Sequence, residues 1–554
     1  MMKITFTGSN FKKTIQVKAK KPIFRLLEEE RIRLSPPPIA AIIDNCLFDL
    51  DYKLKTDSAV ELISYRDRVG ASVYRRSLSF ILHASVKSLF PKSRLVIGQS
   101  ISNGYYYDFE DPKIKMTQVS LKKIKNRMHE IIKQRIPFIH ELYPKQSAIK
   151  LFAKLGYPQK VKLLETLKGS DTRIVSCAGF SDISYGPMLP HTGFARTFDL
   201  QLYNKGFILV FPDPEKPDLT PKILPNPSLF KTYMETKEWN KIIGVRTVSD
   251  LNNICINGDI SEAIKVAEAL HEKKIIQICD KIKNNRKIKI ILVAGPSASG
   301  KTTTIKRLSI QLAVNNIHSI PISLDDYFLD REKSPLDENG EYDFETPGAL
   351  DIKSFNKDIA DLLAGKKAIL NKFSFSEGKQ VAGTPCRIPK GKDFVIIIEG
   401  LHAINPRLLP DIGKEKKLKI YLSALTQLCI DDHNRIFTSD TRLLRRLIRD
   451  CMFRGYSAAD TLSRWYSVRK GEEQYIFPYQ NSADIIFNSA LVYEHAVLKI
   501  FAERFLLEVR SDRREYVEAT RLLDFLNLFV AISPTETPPA SVLREFIGGS
   551  AFAY

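Results

Sequence analysis

Long apolar runs are missing from this 554-residue sequence, and the strongest, "FVIIIEG" and "IILVAG", are strand-sized. They fall well short of the ~20 residues a membrane-crossing helix needs. The opening "MMKITFTGSNFKKTIQ" lacks the apolar centre of a secretion signal. Cysteine is scarce: seven residues, at 46, 177, 255, 279, 386, 429 and 451, odd in number and never spaced C-x-x-C. That argues against a disulfide framework and for free thiols in a reducing compartment. No repeat of fixed period is visible, and the basic residues form no dense tail. These absences lead us to expect a soluble, cytoplasmic protein with no membrane partner.

What is present is ordinary globular composition with an excess of positive charge. Hydrophobic residues make up 44% and charged residues 27%, so disorder is not the default. The length suits roughly three or four domains at ~150 residues each. Lys and Arg number 84 against 63 Asp and Glu, a net charge of +21. Such a balance favours polyanions such as nucleotides, RNA or anionic surfaces, or it reflects a lysine-rich proteome.

Periodicity divides the chain. Residues 1–66 read as four or five short strands around one helical piece, "IFRLLEEERI". "VYRRSLSFILHASVKSLF" has the stripe of an amphipathic helix and opens a mixed region, 67–230. That region closes on six prolines within 211–230, which reads as a connection, neither helix nor central strand. A helical connector, 231–285, follows, its helix predicted over 260–285. From 286 strands alternate with helices, the pattern of an α/β domain with a mostly parallel sheet, to about 505; a helix and tail fill 506–554.

"VAGPSASGKTTTI", residues 293–305, fits G-x-x-x-x-G-K-[ST] through Gly295, Gly300, Lys301 and Thr302. It follows a predicted strand, Ile288–Ala294, and opens a helix. Glycines let backbone N–H groups face phosphates, and the helix N-terminus adds its dipole. Lys301 is expected to reach the β- and γ-phosphates, and the Thr302 hydroxyl can ligate Mg²⁺. With no nucleotide present the lysine is expected to be solvated and to pack against nothing. "ISLDDYFLDRE" brings Asp325 and Asp326 to the end of an apolar strand, at the sheet's ligand-facing rim, where a carboxylate can act as general base. On an extended strand the two would point to opposite sides. "DFVIIIEG" delivers Glu399 to the same rim, in the place of a Mg²⁺-holding acid. In "DTRLLRRLIRDCMFRG", Arg442, Arg445, Arg446 and Arg449 share one helical face, with Arg454 just beyond. Such a stripe is a solvated face, a dock for an acidic partner, or a lid that neutralises charge during transfer.

In this order and spacing, "GPSASGKTT", "SLDDYF", "YDFETPGALD", "IIIEGLHAI" and "RRLIRDCMFRG" resemble the uridine kinase/phosphoribulokinase family of P-loop kinases over residues 286–505. The resemblance implies ATP, or another nucleoside triphosphate, on Gly295, Pro296, Ser297, Ala298, Ser299, Gly300, Lys301, Thr302 and Thr303. It makes Asp325 the base toward a sugar 5′-hydroxyl and places Glu345 on ribose hydroxyls, with Tyr327 and Phe373 beside the acceptor. Thr302 and Glu399 become the Mg²⁺ set, and Arg449 and Arg454 lid arginines. The hairpin that reads the base departs from the family: Phe373-Ser374-Phe375 stands for Tyr-Asp-Phe, and no histidine lies between 370 and 390.

Residues 1–66 resemble a TGS domain, a β-grasp module, and 67–205 the editing-type domain of threonyl-tRNA synthetases. The family's metal-type positions are degenerate: His83 is followed by Lys87, and "SYGPMLPHTG" supplies Ser184 and Met188 where Cys and His are expected. His191 and Cys177 remain as strays. No zinc is expected here. The whole order resembles bacterial nucleoside kinases, implying transfer of the γ-phosphate of ATP to a nucleoside 5′-hydroxyl, uridine first. The alternatives are a different small hydroxyl acceptor, or an RNA-binding NTPase that uses its synthetase-like half. RNA contact and a homo-oligomer stay open.

Overall fold

A computed structural model describes residues 2–8, 11–18, 20–111, 113–336, 340, 342–374 and 377–554. Residues 2–64 build a five-stranded mixed sheet in the order Phe11–Val17, Met2–Gly8, Ser58–Ser64, Pro38–Ile43, Cys46–Phe48, with Met2–Gly8 parallel to Ser58–Ser64. The helix Ile23–Glu29 covers it, and Ile4, Phe6, Ile23 and Val60 have no exposed surface. Then comes the helix Arg68–Leu89, most of whose central residues are buried, so it is a core element and not a surface amphipath. It packs with a four-stranded and a three-stranded antiparallel sheet of residues 95–210. The proline-rich segment stays irregular as far as Asn226. Its last residues then join the helix Pro227–Ile243, because Pro227 stands at the first turn, where no amide partner is lost, and Asn226 caps Leu229 N.

The second half is organised by a five-stranded parallel sheet. Its order is His318–Ser323, Phe394–Glu399, Ile290–Ala294, Lys417–Ser423, Ile485–Asn488. Both faces are covered, which is why the central strands read as unbroken apolar runs. Successive residues alternate between two cores: Ile290, Leu292, Ile396 and Ile398 face one, Ile291, Val293, Val395 and Ile397 the other. The fold is α/β with a parallel sheet, as the alternation of elements predicts. The hairpin Ala368–Ser374/Lys379–Cys386 precedes the strand Phe394–Glu399, in the stretch where the resemblance implies one. Phe375, one of the residues expected in that hairpin, lies outside the described residues.

The halves are not packed as separate bodies. One apolar core runs from Phe152 and Leu163 through Leu251 and Ile264 to Leu443, Trp465 and Phe546. Among the described residues no helix is long and apolar enough to cross a membrane.

Candidate active site

The strand Ile290–Ala294 ends in the loop 295–300, which turns into the helix Lys301–Val314. Glycine is required at both ends. A Cβ on Gly295 would lie 2.5 Å from Leu422 O, and Gly300 has φ 82°, the left-handed region. Ser299 is fully buried and its hydroxyl has no partner among the described residues, as a loop shaped for an absent anion would leave it. Lys301 does not hang in solvent as expected. Its ammonium folds back and donates to Gly295 O at 2.9 Å and Pro296 O at 3.3 Å. Burial depresses its pKa, opposed by Asp325, Glu399 and Glu545.

The loop is braced from outside by the arginine helix Thr438–Phe453. Arg442 and Arg445 have side chains 1% and 0% exposed, so neither is a solvated or lid residue. Arg442 Nη2 donates to Glu472 at 2.7 Å and its Nη1 to Ser297 O at 3.1 Å, while Ser297 N donates to Glu472 at 3.1 Å. Arg445 pairs with Glu494 at 2.7 Å and reaches Ala298 O at 3.4 Å. Arg446 Nη1 donates to Ser297 Oγ at 3.1 Å. The stripe therefore splits by depth. The buried pairs fix loop carbonyls outward, and Arg449 and Arg454 are left nearer the cleft, both beside Asp450. Burial pulls the Arg449 pKa down to about 10, with Arg454 adding to the effect.

Asp325 does not end an extended strand. The strand stops at Ser323, whose hydroxyl accepts from Asp325 N at 3.2 Å and starts a 3-10 turn, Leu324–Tyr327. The two carboxylates diverge through that turn and not through strand pleating. Asp325 belongs to the group around Lys301, while Asp326 accepts from the hairpin amide Phe373 N at 3.5 Å. Burial raises the Asp325 pKa, and the Lys301 ammonium opposes it. Glu399 Oε2 accepts from Thr302 Oγ1 at 3.2 Å. Burial drives the Glu399 pKa up to about 7, with Lys301 opposing and Asp325 and Glu545 reinforcing. Two hard oxygen donors side by side, one on a carboxyl whose charge is under-compensated, fit Mg²⁺.

Glu345 stands over Gly471 of the helix Ala458–Tyr475, where a Cβ would lie 2.4 Å from the Glu345 Cβ. Burial first, then Glu472, raises its pKa to about 7, with Arg446 opposing. Tyr327 has no exposed surface and its hydroxyl donates to Asp358 at 2.9 Å, so it is a packing residue. Phe373 packs with Phe328, ring centres 5.8 Å apart, and is 8% exposed. Sequence reasoning missed Glu472, Glu494 and Glu545, because each reaches the loop or its arginines from a distant helix with no local motif.

The residues at the positions expected to be a degenerate metal-type set are not brought together. Lys87 turns to Pro91 O at 3.0 Å, Ser184 Oγ meets His140 Nδ1 at 3.2 Å, and Met188 is buried in the core. His83 instead lies 4.2 Å, ring to ring, from His433, which arrives on a loop of the second half. Asp182, Asp431 and His433 offer ligand atoms within 4.8 Å of one another. Lys160 already stands among them, donating to Asp182 and, at 2.7 Å, to Asp431. Burial lowers the His83 pKa, and His433 lowers it further.

These features define the C-terminal half as a phosphate-loop α/β fold with a nucleotide-type site at the carboxyl ends of its parallel strands. Residues 290–494 match the model of the Phosphoribulokinase / Uridine kinase family. The N-terminal half is similar to threonine–tRNA ligases. That of Desulforamulus reducens is 35% identical over 170 residues, 30% of this chain and 26% of the ligase. That of Clostridium kluyveri is 32% identical over 201 residues, 36% of this chain and 31% of the ligase. The chain thus spans under a third of the length of these curated relatives. Among solved structures, one described as a possible uridine kinase from Bacillus stearothermophilus has 16% identity and a TM-score of 0.27, covering 39% of this chain and 98% of that one. Phosphoribulokinase from Rhodobacter spheroides has 14% identity and a TM-score of 0.26, covering 37% and 70%.

Proposed function

We propose that this protein transfers the γ-phosphate of ATP to the 5′-hydroxyl of a nucleoside, uridine first. The observation that carries the reading is the grouping of Lys301, Thr302, Asp325 and Glu399 at one rim of the parallel sheet. Asp325 accepts the proton of the acceptor hydroxyl as its oxygen attacks the γ-phosphorus, and the bond to the bridging oxygen of ADP breaks. Lys301, Arg449 and Arg454 neutralise charge on the phosphates, so catalysis is mostly positioning and electrostatics. Thr302 and Glu399 would hold Mg²⁺, which when bound would supply charge neutralisation on the transferring phosphates. Glu345, buried beside this group, orients acceptor hydroxyls.

The experiment is a panel of nucleosides and sugars with labelled ATP. Product with uridine, and little with free sugars, supports the reading; turnover only with another small alcohol replaces the acceptor. The likeness of the N-terminal half to threonine–tRNA ligases favours a second reading, an RNA-binding NTPase. It requires ATP hydrolysis stimulated by tRNA and indifferent to nucleosides. A TGS-type module over 1–66 and an editing-type domain over 67–230 belong to this proposal.

A further inference from the structure

Segment 541–554 lies on the first turns of the phosphate-loop helix. Leu543 and Phe546 are fully buried and anchor it, the Phe546 ring receiving Arg445 and Arg449 at 5.2 and 5.9 Å. Val542 closes on Gly300, where a Cβ would stand 3.1 Å from it. From this anchor Glu545 points onto the helix start. Its Oε2 accepts from Thr303 N at 3.3 Å and from Thr303 Oγ1 at 2.7 Å, and its Oε1 lies 3.8 Å from Arg449 Nη1. Tyr554 joins the same group: its hydroxyl is 2.8 Å from Thr303 Oγ1 and its ring lies under Lys306, 4.4 Å from the ammonium, which also donates to Ala553 O.

A first-turn amide, the hydroxyl beside it and a nearby guanidinium are what a phosphate-loop helix offers to the phosphates of its nucleotide. Here a carboxylate of the chain itself holds all three. One amide cannot serve both anions, and a triphosphate brought against Glu545 adds like-charge repulsion to a rim that already holds Asp325 and Glu399. We propose that Glu545 is an internal competitor for the donor nucleotide, so that ATP binds by displacing this carboxylate, and with it segment 541–554, from Thr303. The proposal rests on the reading of residues 295–302 as a nucleotide loop. It makes Glu545 a determinant of donor affinity that leaves the acceptor side untouched. The residue is absent from the loop motif because it lies 242 positions from Thr303.

The test measures binding rather than turnover. The dissociation constant of ATP with Mg²⁺ is determined by calorimetry on the full chain, without acceptor, for the parent protein, Glu545→Gln and Glu545→Ala. Removing one anion from a helix N-terminus should tighten ATP binding by about fivefold in both variants. Unchanged or weaker binding in the variants overturns the proposal. If the parent protein itself binds no ATP, the nucleotide-loop reading fails and takes this one with it. Hydrogen exchange on the parent protein gives a check that needs no variant. Amides of 541–554 should exchange faster with saturating ATP than without it, and equal exchange with ATP bound rules displacement out.

Discussion

Where the two halves meet, Lys160 stands between Asp182 and Asp431 while His433 faces Asp182 at 3.1 Å. At the phosphate loop, by contrast, Asp325, Glu399 and Glu545 crowd around Lys301, with Glu345 close by. The first group answers its own charge. Burial works against ionisation of Asp182, yet Lys160 and His433 hold its pKa below the ordinary carboxylate range. The second group does not: burial leaves Glu345 and Glu399 with pKa values near 7. Closed ionic clusters are spent on the fold, whereas a cluster left short of positive charge is prepared for something that arrives. That contrast separates the cluster that joins the two halves from the cluster at the rim of the parallel sheet.

The contrast can be broken most severely at Asp325. Asp325→Asn should lower the transfer rate by roughly 10²–10⁴-fold with ATP affinity little changed, because it removes proton acceptance and keeps shape. Asp326→Asn, directed at the hairpin, should be mild. The reverse ranking in steady-state kinetics would move the base by one residue.

Next is the junction. Lys160→Met leaves two buried carboxylates facing each other and should destabilise by about 3–5 kcal/mol, seen as a lowered thermal midpoint. Nucleotide affinity measured below the transition should hold. A variant as stable as the parent would show that Lys160 is not what closes this cluster.

Smaller is the effect of the brace. Arg442→Lys keeps the charge near Glu472 but cannot grip both its oxygens and Ser297 O, so ATP affinity should fall by roughly tenfold. The acceptor KM should not move; equal changes in both constants would mean general loosening.

The smallest effect concerns pH. A carboxyl raised from its ordinary 4.5 to about 7 binds its proton more tightly in the folded state. Its contribution is therefore full below 4.5 and is lost as pH rises through 7. Glu345→Gln removes that loss, so its stability relative to the parent should improve by roughly 1 kcal/mol between pH 5 and pH 6. Parallel melting curves across that range would contradict the raised pKa.

The loop Gly295–Thr302 was legible because its chemistry is local: glycine conformations, a lysine and a hydroxyl at set spacing, a strand before and a helix after. The parallel sheet was legible for the same reason, since strands buried on both faces must be apolar throughout. The arginine stripe was half legible. Spacing put four guanidiniums on one helix face, but depth decided their roles, and depth came from Glu472, Glu494 and the wall of the loop. Asp325 was placed at the right rim by a strand that ends two residues earlier than expected, because Ser323 caps a turn.

By itself, then, the sequence determined the elements and the chemistry they could carry: a phosphate loop and a rim of carboxylates. Tertiary structure alone decided which charges meet. Asp182 finds His433 251 positions away, and Thr303 finds Glu545 242 positions away. No local pattern encodes such pairs, because they follow from the shared core that packs both halves together, and a buried charge takes its role from its neighbours in space.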